Sequence, residues 1–105
     1  MMQTLPTSIS MFGREIIVEK VDEFPKQVGG VDFDTNTIKI KSGQQLLMEA
    51  DTLLHECFHL VDDCMQLNLS ERQVYCLAVA TMALLRENRN LLDYFREAVE
   101  QPRKV

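Results

Sequence analysis

Both histidines of the chain lie in one HExxH motif. His55 and His59 are four residues apart, and Glu56 follows the first of them. On an α-helix this spacing puts the two imidazoles on one face, one turn apart, where two nitrogens can bind one zinc ion at about 2.0 to 2.1 Å. Glu56 flanks the ion from one position further round the helix, close enough to take a proton from a metal-bound water. The motif predicts a zinc site with His55 and His59 as ligands and Glu56 as catalytic base.

A zinc site of this type needs a third protein ligand. The chain has no third histidine, so the choice is restricted to a carboxylate or a cysteine. Glu71 is the preferred candidate, because it opens the next predicted helix after a connection of about six residues that can fold it back antiparallel. The alternative is that Glu71 only complements the helix dipole.

Three further side chains near the motif are candidates for supporting roles. Asp62 and Asp63 follow His59 on the same helix and compete with Glu71 as ligands. Because helical side chains lean towards the N-terminus, either could instead accept a hydrogen bond from the other ring N–H of His59. A solvated acidic helix end is the equal alternative. Tyr75, one turn after Glu71, is a candidate for oxyanion support, although a half-buried aromatic explains it more simply.

The elements that must hold these residues begin with strands, predicted over about residues 9–41. Residues 31–34 and 38–41 alternate apolar and polar side chains around a polar turn, the pattern of a half-buried antiparallel hairpin. Pro25 and the pair Gly29-Gly30 are expected to interrupt the strands before it. We therefore expect a small antiparallel sheet, in which residues 38–41 could hold an extended peptide as an edge strand.

Helical periodicity follows the strands. Ser42 with Gln45, and Ser70 with Gln73, have the spacing of capping boxes at the starts of two helices. A third, shorter helix is expected after the break at Asn88 and before Pro102. The predicted helices cover about residues 43–65, 71–87 and 91–100, so the fold class is α+β.

Length and charge limit the classes of function. The 105 residues are 46% hydrophobic and 26% charged, the composition of one globular domain over residues 1–105. The formal net charge is -5 with no cluster of Lys or Arg, so neither nucleic acid nor a membrane surface is an expected partner.

The cysteines and the most apolar segment indicate a cytoplasmic protein with a buried helix. Three cysteines without a CxxC pair predict reduced thiols in a cytosol, and each is expected in the core. The most apolar run, residues 75–85, is well below the roughly 20 residues needed to cross a bilayer. It is predicted to be a buried core helix.

Two segments resemble a known family. Residues 54–59, LHECFH, and residues 69–78, LSERQVYCLA, are similar to the ImmA/IrrE-like metallopeptidases, and most similar to their short phage and bacterial relatives. The resemblance extends over about residues 28–95. It implies a minimal gluzincin with a sheet, an HExxH helix and a glutamate-bearing helix, with His55, His59 and Glu71 as zinc ligands and Glu56 as base.

The resulting expectation is a zinc-dependent endopeptidase acting on a peptide or protein substrate. The additional domains of longer family members do not fit in 105 residues, so specificity is expected from a partner protein or from the bare cleft. The first alternative is a zinc-stabilised regulatory or protein-binding module without catalysis. The second is a metal-free helical interaction domain.

Overall fold

Four strands precede three helices in the computed structural model, which describes residues 4–24 and 26–103. The predicted α+β class is confirmed. The elements are β1 (Ser8–Met11), β2 (Arg14–Val21), β3 (Gly29–Asp32), β4 (Thr37–Lys41), α1 (Leu46–Met65), α2 (Glu71–Glu87) and α3 (Arg89–Val99).

The sheet is mixed, with strand order β1-β2-β4-β3. β3 and β4 form the predicted antiparallel hairpin, and β1 and β2 form another. The expectation of a wholly antiparallel sheet was wrong, because β4 lies between β3 and β2 and runs parallel to β2. The register pairs Val18 with Ile38, so the buried residues of these two strands share one face of the sheet.

The strand that was predicted to lie at the edge of the sheet, next to the site, lies in its interior. Residues 38–41 lie in β4, an interior strand, so they are not available for strand addition. The edge strands are β1 and β3, and β3 begins with the pair Gly29-Gly30, where an interruption was expected. Backbone pairing with β4 outweighs the weak strand propensity of glycine here.

The core lies between the sheet and α1. It consists of Ile16, Val18, Ile38, Ile40 and Leu60, each at most 5% exposed. α1 packs against β3 and β4 on one side and against α2 on the other. The helix that carries the HExxH motif is therefore held between two layers, as a precisely positioned site requires.

Three polar side chains of α1 are also buried, at a spacing of three and four residues. Glu49 forms an ion pair with Lys20 of β2, with 3.4 Å between Oε2 and Nζ. The Thr52 hydroxyl donates to the Met48 carbonyl at 2.8 Å. Glu56 is the third, one turn after Thr52.

The two predicted capping boxes have different outcomes. α2 begins at Glu71 with a capping box in which Ser70 Oγ accepts from Gln73 N–H, as predicted. α1 begins only at Leu46, and no side chain caps it. The Ser42 hydroxyl donates instead to Asp22 Oδ1 at 2.8 Å, so it is not available to cap the helix.

The prediction of a buried helix over residues 75–85 was wrong. Within α2 only Val74 and Ala78 are buried, because α2 packs against α1 on one side and contacts α3 as its only other described element. α3 begins at Arg89, two residues earlier than predicted, and packs against α2 alone within the described part of the chain. None of these three helices combines the length and the apolar character needed to span a membrane.

Candidate metal centre

The structure brings the three predicted ligand residues together. Glu71 Oε1 lies 2.7 Å from His55 Nε2, and Glu71 Oε2 lies 3.1 Å from His59 Nε2. One ligand atom from each residue falls within 4.8 Å of the other two. A single carboxylate at the start of α2 therefore faces both imidazoles of α1.

Local sequence explains why these side chains meet. The four-residue spacing stacks the two imidazoles along α1, with ring centroids 4.9 Å apart. A turn of five residues then reverses the chain, and its Leu69 N–H donates to Asp62 Oδ1 at 3.0 Å. The capping box starts the next helix with Glu71 as its first residue, which directs the carboxylate back to α1.

The donor set suits a metal ion. Two imidazole nitrogens and one carboxylate oxygen are donors that divalent metal ions such as zinc accept. Ligand atoms at about 2.0 to 2.2 Å from a tetrahedral ion lie about 3.3 to 3.5 Å apart. Glu71 Oε1, now 2.7 Å from His55 Nε2, would need to move away by about 0.6 to 0.8 Å to make room for the ion. The group His55, His59 and Glu71 could thus bind a metal ion.

The pKa values of the two glutamates in the site shift in opposite directions. Burial raises the pKa of Glu56, which is 6% exposed, and the nearby imidazoles oppose this only in part. Burial also acts against ionisation of Glu71, but hydrogen bonds and charge interactions with His55 and His59 outweigh it and lower the pKa of Glu71. Glu71 therefore favours the ionised form that a metal ligand needs. The Glu56 carboxylate, by contrast, is buried and poorly hydrated.

An open cleft of about 660 Å³ contains these residues. Strand β3 forms one wall, with Gly29, Gly30 and Val31, and α2 forms the other, with Tyr75 and Val79. The walls are mainly apolar, and the ionisable residues of the HExxH motif lie between them. The cleft has the form of a ligand site with a few convergent polar groups in an apolar surround.

Sequence reasoning missed the role of Gly29. A Cβ at this position would come within 2.5 Å of Thr52 Cγ2 and 3.2 Å of Glu56 Oε2. Only glycine therefore allows β3 to approach α1 so closely beside Glu56. Thr52 and Glu56 are one helical turn apart, so the sequence indicates that both lie on one face of α1. It does not indicate that β3 packs against this face.

The structure does not bring Asp62 and Asp63 to the site. Asp62 accepts from the Leu69 N–H in the turn before α2, and Asp63 pairs with Arg14 of β2 at 3.2 Å. The Asp62 carboxylate binds a backbone N–H and the Asp63 carboxylate binds a guanidinium, instead of the His59 ring. In the described part of the chain, neither carboxylate forms the hydrogen bond to His59 that was predicted.

Tyr75 lines the cleft near the motif. Its ring centroid lies 6.4 Å from that of His55, and the residue is 59% exposed. Tyr75 is thus an exposed residue of the cleft wall, and oxyanion support by its hydroxyl stays a prediction.

Comparisons of the chain with protein-family models, with curated proteins and with solved structures find no match. The resemblance to the ImmA/IrrE-like metallopeptidases therefore stays a prediction from the two motif segments.

Proposed function

We propose that this protein is a zinc-dependent metallopeptidase of the ImmA/IrrE-like type. The observation that carries the proposal is the position of Glu71, whose carboxylate faces both motif histidines from a separate helix. An HExxH helix joined by a glutamate from the next helix supplies three protein ligands and leaves one position for water or substrate. Zinc is the metal that this donor set fits best.

The reaction is hydrolysis of a peptide bond. A bound zinc ion would polarise the scissile carbonyl and lower the pKa of the attacking water. Glu56 removes the proton from the water and delivers it to the leaving amine. Its burial keeps bulk water away from the carboxylate, which strengthens its basicity. Tyr75 would donate a hydrogen bond to the carbonyl oxygen as negative charge develops there.

The substrate is an extended peptide bound along β3. This strand pairs with β4 on one side, and it borders the cleft on the other. Main-chain hydrogen bonds to the outer edge of β3 would hold the peptide by strand addition and carry its scissile bond past Glu56.

Replacement of Glu56 by glutamine tests this function. Glutamine has the same shape but cannot accept the proton, so zinc-dependent peptide cleavage should fall by about two to four orders of magnitude. The zinc content and the circular dichroism spectrum should not change. Glu49→Gln is the matched control, because Glu49 is a buried glutamate on the same helix but lies outside the cleft. A wild-type protein that cuts no member of a wide peptide library when zinc-loaded would contradict the proposal.

The alternative function is a zinc-stabilised regulatory or protein-binding module. The contact of Glu71 with His55 supports it, because an ion bound there would also cross-link α1 and α2. In that case zinc removal would lower the unfolding temperature, and Glu56→Gln would leave partner binding intact. All three cysteines are free thiols, which fits the reducing cytoplasm in which we propose that either protein acts.

A further inference from the structure

Asp51 has the only carboxylate outside the metal centre among the described residues that line the cleft. It lies on α1, one turn before His55, and it is exposed. Its side chain forms no salt bridge within residues 4–24 and 26–103. Asp51 thus contributes to the cleft a carboxylate that has no described cationic partner.

The charge of the cleft depends on this residue. The lining contains no lysine or arginine in the described part of the chain. A bound zinc ion would balance the carboxylates of Glu56 and Glu71, whereas the carboxylate of Asp51 would remain. Lys26 and Lys41 border a separate shallow hollow, and neither has a described ion pair with Asp51. The zinc-loaded cleft would therefore carry a net negative charge, located at Asp51.

An apolar side chain of α2 lies beside Asp51. Tyr75 of α2 packs near His55, with the ring centroids 6.4 Å apart. Because α2 folds back along α1, the position one turn after Tyr75 is level with the position one turn before His55. These two positions are Val79 and Asp51, and both line the cleft. Val79 is exposed, so this end of the cleft combines an apolar surface with one carboxylate.

The opposite wall at this end is the start of β3. A Cβ on Gly29 would come within 2.5 Å of Cγ2 of Thr52, the residue that follows Asp51. Val28, which precedes Gly29, is exposed and also lines the cleft. One exposed valine from each wall therefore lies at the end of the cleft that contains Asp51.

We infer that Asp51 gives the protein a preference for substrates with a lysine or arginine within about two residues of the scissile bond, an inference that rests on the proposed peptidase function. The aliphatic part of such a side chain would pack on Val28 and Val79, and its cationic end would pair with Asp51. Four residues of α-helix separate Asp51 from His55 by about 6 Å, the length of about two residues of extended peptide. The net charge of -5 on the chain also attracts a basic substrate.

Peptide cleavage by the zinc-loaded full chain is the first test. The probes are N-acetylated, C-amidated octapeptides of serine and leucine with one lysine, methionine or glutamate at each position in turn. Mass spectrometry identifies the cleaved bond. We expect kcat/KM for the best lysine peptide to be about fivefold higher than for its methionine counterpart, the scale of a solvent-accessible ion pair, and lowest for glutamate. Equal values for the three peptides would overturn the inference and leave the proposed function intact.

Reversal of the charge tests whether Asp51 is the cause. Asp51→Lys should make the glutamate peptide the best substrate, and Asp51→Asn, which keeps the size of the side chain, should remove the preference for lysine over methionine. Asp93→Lys is the control, because Asp93 is an exposed aspartate of α3 outside the cleft, and this variant should keep the lysine preference. Zinc content and circular dichroism verify that each variant is folded and loaded. A lysine preference that persists in Asp51→Asn would overturn the assignment.

Binding separates a failure of this inference from a failure of the proposed function. Fluorescence anisotropy of the same peptides, labelled with a dye, measures their affinity for zinc-loaded Glu56→Gln protein with and without Asp51→Asn. The lysine peptide should bind about fivefold more tightly than the methionine peptide when Asp51 is present, and equally when it is replaced. Asp51-dependent binding by a wild-type protein that cuts no peptide would contradict the peptidase function alone. A lysine peptide that is neither cut faster nor bound more tightly would show that the inference is wrong.

Discussion

Glu71 and His55 face each other across the turn between α1 and α2, with 2.7 Å between Oε1 and Nε2. Sixteen residues separate them in the chain, and the reversal between two helices brings them into contact. The same carboxylate reaches His59 with its other oxygen at 3.1 Å. The site is therefore defined as much by the helix–helix packing as by the HExxH motif, and the predictions below test both.

Metal binding should depend on Glu71. We predict about one zinc ion per chain in purified protein, and Glu71→Gln should reduce zinc affinity by more than the roughly 100-fold cost of losing an outer hydrogen-bond partner, because the amide is a poor ligand. Glu71→Asp should have a smaller effect. Asp63→Asn is the control, since Asp63 pairs with Arg14 away from the site. Isothermal titration with zinc measures the affinity of all three variants. If Asp63→Asn lost zinc binding while Glu71→Gln kept full affinity, the ligand assignment would be wrong.

Gly29→Ala should destabilise the protein by about 1 to 3 kcal/mol, the usual cost of overpacking, because its methyl group would collide with Thr52 Cγ2. Chemical denaturation measures the change. Gly30→Ala is the matched control, since its nearest neighbour is the movable end of the Phe24 ring at 3.2 Å. Adding Thr52→Ser to Gly29→Ala removes the colliding methyl and should recover much of the loss. Equal effects of the two glycine substitutions would contradict the close approach of β3 to α1.

Metal-free protein should become more stable near neutral pH when Glu56 is replaced by glutamine. Burial raises the folded-state pKa of Glu56, so the folded protein binds the proton more tightly than the unfolded chain, and stability falls as pH rises through that pKa. Glutamine removes this penalty. The gain in thermal midpoint should shrink as the pH falls towards about 4, where Glu56 is protonated in both states.

The exposed Glu15→Gln variant is the comparison for this experiment. It removes one carboxylate of similar size from the surface of β2 and should leave the thermal midpoint nearly unchanged at each pH. A Glu56→Gln gain that stays constant between neutral and acidic pH would show that the effect does not come from ionisation.

Ser70→Ala should cost about 1 kcal/mol of stability, because it removes the side-chain acceptor of the capping box. Glu71 is the next residue, so fraying of this turn should also weaken zinc binding. Ser10→Ala, at an exposed position in β1, is the control for removing a serine hydroxyl. Denaturation and zinc titration of the same samples test the coupling. Lost stability with unchanged zinc affinity would mean that Glu71 is positioned without help from the cap.

Local patterns in the sequence determined much of the site. The HExxH motif spans about one helical turn, so its spacing alone indicates which side chains share a face. The capping box of Ser70 and Gln73 correctly predicts both the start of α2 and the position of Glu71 on its first turn. The alternation in residues 31–34 and 38–41 likewise predicts the β3–β4 hairpin, although β3 ends at Asp32, two residues earlier than that pattern indicates. These features depend on residues within about four positions of one another, or across one tight turn, so a pattern in the chain is sufficient.

Tertiary structure alone decided the features that join distant segments. The parallel pairing of β2 with β4 leaves β3 as an edge strand beside α1, where Gly29 approaches Glu56. Arg14 takes Asp63 away from the motif across 49 residues. The exposure of residues 75–85 could not be predicted either, because a helix is buried only where other elements cover it, and α2 is covered on one side by α1 and at one end by α3.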